Sequence, residues 1–93
     1  MDLDQLREQI DSIDEQLLTL FLQRMEIVEG VARYKLREKL PVLHSDREAV
    51  ILAKVVQNAG SYPLEAERFF QAMLAISRDM QTQLIAEAEQ AEK

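Results

Sequence analysis

The chain has 93 residues, a formal net charge of −6, no cysteine, and two glycines and two prolines. That length fits one small domain, and the absence of cysteine excludes disulfides, thiolate catalysis and cysteine-bound zinc. An acidic balance without a basic cluster excludes nucleic acid and anionic membranes as partners, and no apolar run reaches membrane-spanning length.

The pattern predicts an all-α chain of three helices. The first spans about Leu3 to Glu38. Its seam alternates steps of three and four: Leu3, Leu6, Ile10, Ile13, Leu17, Leu20, Arg24, Ile27, Val31, Tyr34. Nine of these ten positions are apolar, as in a coiled coil. Leu18, Phe21, Val28 and Ala32 widen the stripe. Pro41 ends the pattern. Ser45 opens SDRE, read as a capping box with Glu48. A second helix is expected over about Asp46–Asn58, with Gly60 as its stop. Pro63 starts the third, whose stripe runs Phe69, Phe70, Met73, Ile76, Met80, Leu84. Residues 85–93 read as a polar tail, helical at first and then frayed. The acidic start, MDLDQLREQ, has no signal-peptide pattern, so a cytoplasmic protein is expected.

A first helix of this length spans roughly 54 Å at ~1.5 Å per residue, against about 30 Å for a compact chain of this size. Without a proline to kink it, the helix is expected to pair with a second copy as a twofold homodimer.

Polar residues interrupt the apolar stripes. Arg24 sits in the seam, and Lys35 lies three turns on, near the same face. Ser77 and Gln81 are neighbours on the third-helix stripe, and Arg47 and Glu48 open the second helix. If the helices pack through their apolar faces, these groups share one interior. The cations then exceed Glu48, and a ligand with more than one carboxylate completes the balance. Arg7 lies 17 residues before Arg24, about 25 Å along a helix. One small ligand cannot touch both in a single chain, whereas an antiparallel pair could bring Arg7 of one copy near Arg24 of the other.

Each residue also has an ordinary explanation. Arg24 could snorkel to water, Lys35 could complement a helix C-terminus, and Glu48 could be a cap. Ser77 and Gln81 could bond backbone, and Arg47 and His44 could be solvated. With one histidine, no phosphate loop and no metal-ligand cluster, nucleophilic and metal-assisted hydrolysis lack support. The set suits binding and electrostatic stabilisation.

The segments LREQIDSIDEQLLTLFLQR, VARYK, LPVLHSDRE and ISRDMQ, in this order, closely resemble the all-α (type II) class of chorismate mutases. The resemblance covers about Leu3 to Leu84 and makes residues 1–84 the mutase domain. It implies an intertwined homodimer of three-helix chains. The implied reaction is the intramolecular Claisen rearrangement of chorismate, a dicarboxylate, to prephenate, in phenylalanine and tyrosine biosynthesis. No cofactor or metal is implied. Carried over, Arg24 and the second chain's Arg7 bind substrate carboxylates, while Lys35 and Gln81 donate to the ether oxygen. Glu48 holds the ring hydroxyl, and Arg47 and Ser77 complete the pocket near a carboxylate. Lys35, Gln81, Arg24 and Glu48 form the catalytic set. His44 stands where some members carry Asp. The same scaffold supports isochorismate pyruvate lyase, and a non-catalytic regulatory binding domain and a structural dimerising protein are further alternatives.

Overall fold

The computed structural model describes residues 1–92. It contains three helices, α1 (Leu3–Glu38), α2 (Ser45–Gln57) and α3 (Pro63–Ala91), and no strand among the described residues. The all-α expectation and the bounds of the long first helix are met.

Helix α1 starts at a capping box that the sequence reading did not single out. The Asp2 carboxylate accepts from the Gln5 amide at 2.8 Å, and the Gln5 side-chain oxygen accepts from the Asp2 amide at 3.0 Å. It ends in a left-handed turn at Lys39, φ 56°. The Leu40 amide donates to the Lys35 carbonyl at 2.9 Å and the Lys39 amide to Leu36 at 3.4 Å, the paired bonds of a Schellman stop. Pro41 follows and cannot extend the helix.

The start of α2 differs from expectation. Ser45 is the first helical residue, His44 is the cap, and no side chain caps the helix. Starting one residue early puts Glu48 beyond the third helical position, and its carboxylate pairs instead with Arg78 on α3. A guanidinium is the stronger partner, because both groups are charged. Between α2 and α3 the Tyr62 amide bonds the Ala59 carbonyl at 3.0 Å around Gly60, whose φ of 59° favours glycine. Pro63 occupies the first turn of α3. Helix α3 continues through most of the expected polar tail to Ala91, and Lys93 lies outside the described residues.

Helix α3 packs against both α1 and α2, which do not pack on each other among the described residues. The molecule measures 59 × 26 × 14 Å with a radius of gyration of 16.9 Å, against about 12 Å for a compact chain of this length. Among the described residues, only Val28, Ala32 and Leu74 are buried apolar residues, and Ser77 and Gln81 are buried polar ones. The face of α1 that meets α3 is therefore the flanking stripe, centred on Val28 and Ala32. The seam itself stays exposed: Ile10 at 54%, Ile13 at 56%, Leu20 at 61% and Ile27 at 69%. Full burial of each such side chain contributes about 1.5–3 kcal/mol, so this face has much to gain from a covering surface. No helix among the described residues is long and apolar enough to cross a membrane.

Ala32 has no exposed surface where α1 meets α3, so an added side chain has nowhere to go. Ala32→Leu is expected to destabilise the fold by about 1–3 kcal/mol, read from urea unfolding at fixed protein concentration. An unchanged midpoint would show that this contact is loose.

Candidate active site

Arg24 sits on α1 one turn before Val28, at the edge between the exposed seam and the face that meets α3. Its Nη1 donates to Ser77 Oγ at 2.7 Å, and that hydroxyl donates to the Met73 carbonyl at 2.9 Å. Ser77 thereby accepts and donates at once, which satisfies a hydroxyl that is 4% exposed. One of the five guanidinium N–H groups is used, and the rest remain for a ligand.

Three turns along, Lys35 reaches over the C-terminal end of α1. Its ammonium donates to the Val42 carbonyl at 2.6 Å and to Gln81 Oε1 at 2.9 Å. These bonds tie the α1–α2 loop and α3 to α1. The ammonium keeps a third N–H, and Gln81, its oxygen occupied, keeps its NH₂ as a donor. Two adjacent donors are thus fixed by the protein and left with capacity. Burial in the cleft pushes the Lys35 ammonium below its ordinary value of 10.5, while the Glu48 carboxylate draws it back in part.

Helix α2 brings Glu48 and Arg47 to the opposite wall. Glu48 is paired with Arg78 of α3, 30 residues away, and the two side chains are 21% and 34% exposed. Together, Arg24, Lys35, Arg47, Glu48, Ser77 and Gln81 line one cleft of about 300 Å³. Its apolar wall includes Val28, Val31, Ile51 and Leu74. His44 and Arg78 line it as well, and the four Lys and Arg side chains, Arg24, Lys35, Arg47 and Arg78, share it with one carboxylate among the described residues. That local excess stands inside a chain of net charge −6. A volume near 300 Å³ accommodates a small metabolite.

Six of the seven residues singled out from the sequence are brought together. Arg7 is not among the lining residues and is exposed far up α1. The sequence reading missed Arg78. It lies off the stripe expected for α3 but one turn after the buried Leu74, and its partner is 30 residues away. Its spacing of four from Leu74 and its position between Ser77 and Gln81 were the available signals.

Fold and cleft together define an all-α protein with a preformed cleft lined by more cations than carboxylates. The chain belongs to the type II chorismate mutase family, whose profile matches residues 6–82. It is 46% identical over 52 residues to the T-protein of Enterobacter agglomerans, covering 56% of this chain and 14% of that protein. With the T-protein of Haemophilus influenzae it shares 40% over 50 residues, covering 54% and 13%. With the bifunctional chorismate mutase/prephenate dehydratase of Aquifex aeolicus it shares 31% over 70 residues, covering 70% and 19%. The chain thus spans less than a fifth of the length of each of these relatives. No solved structure matches significantly.

The lowered Lys35 value has a thermodynamic consequence. Between that value and 10.5, the unfolded chain still holds a proton that the folded chain has released, so stability rises with pH across this window. Relative to Lys35→Met, the wild type is expected to gain stability as pH rises from neutral through the window, in denaturant unfolding at a series of pH values. Parallel profiles would contradict the depression.

Proposed function

We propose that this chain catalyses the rearrangement of chorismate to prephenate. The observation that carries the reading is the Lys35–Gln81 pair. The Lys35 ammonium donates to Gln81 Oε1 at 2.9 Å, which fixes both side chains and leaves Lys35 Nζ and Gln81 Nε2 as neighbouring donors, in a cleft whose sole carboxylate among the described residues is already paired with Arg78.

In this reaction the carbon–oxygen bond of an enolpyruvyl ether breaks as a new carbon–carbon bond forms within the same molecule, and negative charge develops on the ether oxygen. Lys35 Nζ and Gln81 Nε2 donate to that oxygen. Both are held in place before substrate arrives, so little reorganisation is needed as charge builds. Arg24, steadied by Ser77, takes a substrate carboxylate, and Arg47 supplies positive charge at the other wall. Glu48 accepts from the ring hydroxyl. The apolar wall of Val28, Val31, Ile51 and Leu74 favours a compact conformer, in which the two reacting carbons are already close. Membership of the mutase family and the name of the Aquifex relative support this substrate. Phenylalanine and tyrosine synthesis and a cytoplasmic setting accompany the reading.

A homodimer belongs to the same proposal. The exposed seam of α1 runs the whole helix, and residues 1–20 are exposed throughout. A second copy laid antiparallel covers that seam. It also carries its Arg7 to the cleft that this chain's own Arg7, about 25 Å from Arg24 along the helix, does not line.

Purified protein is expected to consume chorismate and yield prephenate, followed by loss of chorismate absorbance and by product analysis. Folded Arg24→Ala should lose about 100-fold or more in kcat/KM, the scale of one preorganised donor to developing charge. Salicylate and pyruvate from isochorismate, without prephenate from chorismate, would point to the lyase instead. Ligand binding without turnover would point to a regulatory domain.

A further inference from the structure

We propose that Arg78 is a positioning residue: it holds the Glu48 carboxylate in place and offsets its charge, so that an acidic group can take a substrate hydroxyl inside a site for a dianion. This rests on the proposed reaction and on Glu48 receiving the ring hydroxyl.

Three observations carry it. Arg78 lines the same cleft as Arg24, Lys35 and Gln81. Its guanidinium Nη1 donates to Glu48 Oε1 from the facing helix, and Oε2 has no protein donor among the described residues. Both side chains are partly shielded from water, at 34% and 21% exposure, where a charge pair is screened less than at the surface. A bare carboxylate would repel each carboxylate of the substrate. With Oε1 occupied, Oε2 is the acceptor left for the hydroxyl, and the carboxylate plane is fixed by the first bond.

A mere strut between α2 and α3 would use the same ion pair, so the test reads substrate preference rather than activity alone. The kcat/KM for chorismate and for an analogue lacking the ring hydroxyl is compared in wild type, Arg78→Met, Arg78→Lys and Glu48→Ala. Wild type is expected to prefer the hydroxylated substrate, and Glu48→Ala to abolish that preference. Arg78→Met should reduce the preference roughly tenfold, the scale of one charge-assisted hydrogen bond. Arg78→Lys should keep it to within about threefold, because an ammonium supplies the charge without the fork. Should Arg78→Met fail to fold by circular dichroism, Arg78→Gln, uncharged and too short to reach Glu48, is expected to behave as Met would.

Equal losses on both substrates, with the preference intact, would make Arg78 a strut and overturn the proposal, as would no loss at all. A wild type that turns over chorismate but treats the two substrates alike removes the Glu48 contact, and the role of Arg78 with it. Absence of turnover with either substrate removes the reaction itself.

Discussion

The structure depends on one constraint: a 36-residue helix carries an apolar seam along its whole length, and its own chain leaves that seam uncovered. Helix α3 meets α1 on the flanking stripe of Val28 and Ala32. That contact leaves three buried apolar residues among the described residues, too few for an independent core, since small domains are already marginal when well packed. An elongated single chain of 59 Å follows from the same fact. On the proposed reading, a second copy supplies the missing cover and also the missing arginine, so one symmetry operation answers both the stability deficit and the incomplete cleft.

The cleft lies where the two faces of α1 adjoin. Arg24 and Lys35 sit on that boundary, close enough to α3 to be held by Ser77 and Gln81, yet opening to the cavity. Their polar contacts are all to neutral groups: a hydroxyl, an amide oxygen and a backbone carbonyl. Such acceptors orient the cations without neutralising them, which leaves their charge for a ligand. Glu48, the one acid lining the cleft among the described residues, is the group that does receive a compensating charge. This division differs from an ordinary buried ion-pair network, in which the cations would be matched by protein carboxylates, and it is what the proposed reading requires.

Much of this was legible in the sequence, for identifiable reasons. The steps of three and four from Leu3 to Tyr34 define α1, because periodic burial is local information, and Pro41, Gly60 and Pro63 mark the breaks through backbone geometry alone. Polar residues on apolar stripes pointed to Arg24, Lys35, Ser77 and Gln81, and the structure joins them in pairs. What failed was competitive. SDRE reads as a capping box, but Glu48 had a stronger partner on a helix that local spacing cannot reveal. The partner of Arg78 was hidden for the same reason. The Asp2–Gln5 box at the start of α1 has the right residues and was passed over beside the stronger seam signal.

The most direct measurement is activity after subunit mixing of Arg7→Ala with Arg24→Ala, each inactive alone and each folded. If every site draws Arg24 from one copy and Arg7 from the other, random reassortment makes half the dimers mixed, each with one intact site. Chorismate turnover should then recover to about a quarter of the wild-type value. No recovery, with mixed dimers demonstrated, would contradict a site completed across two copies.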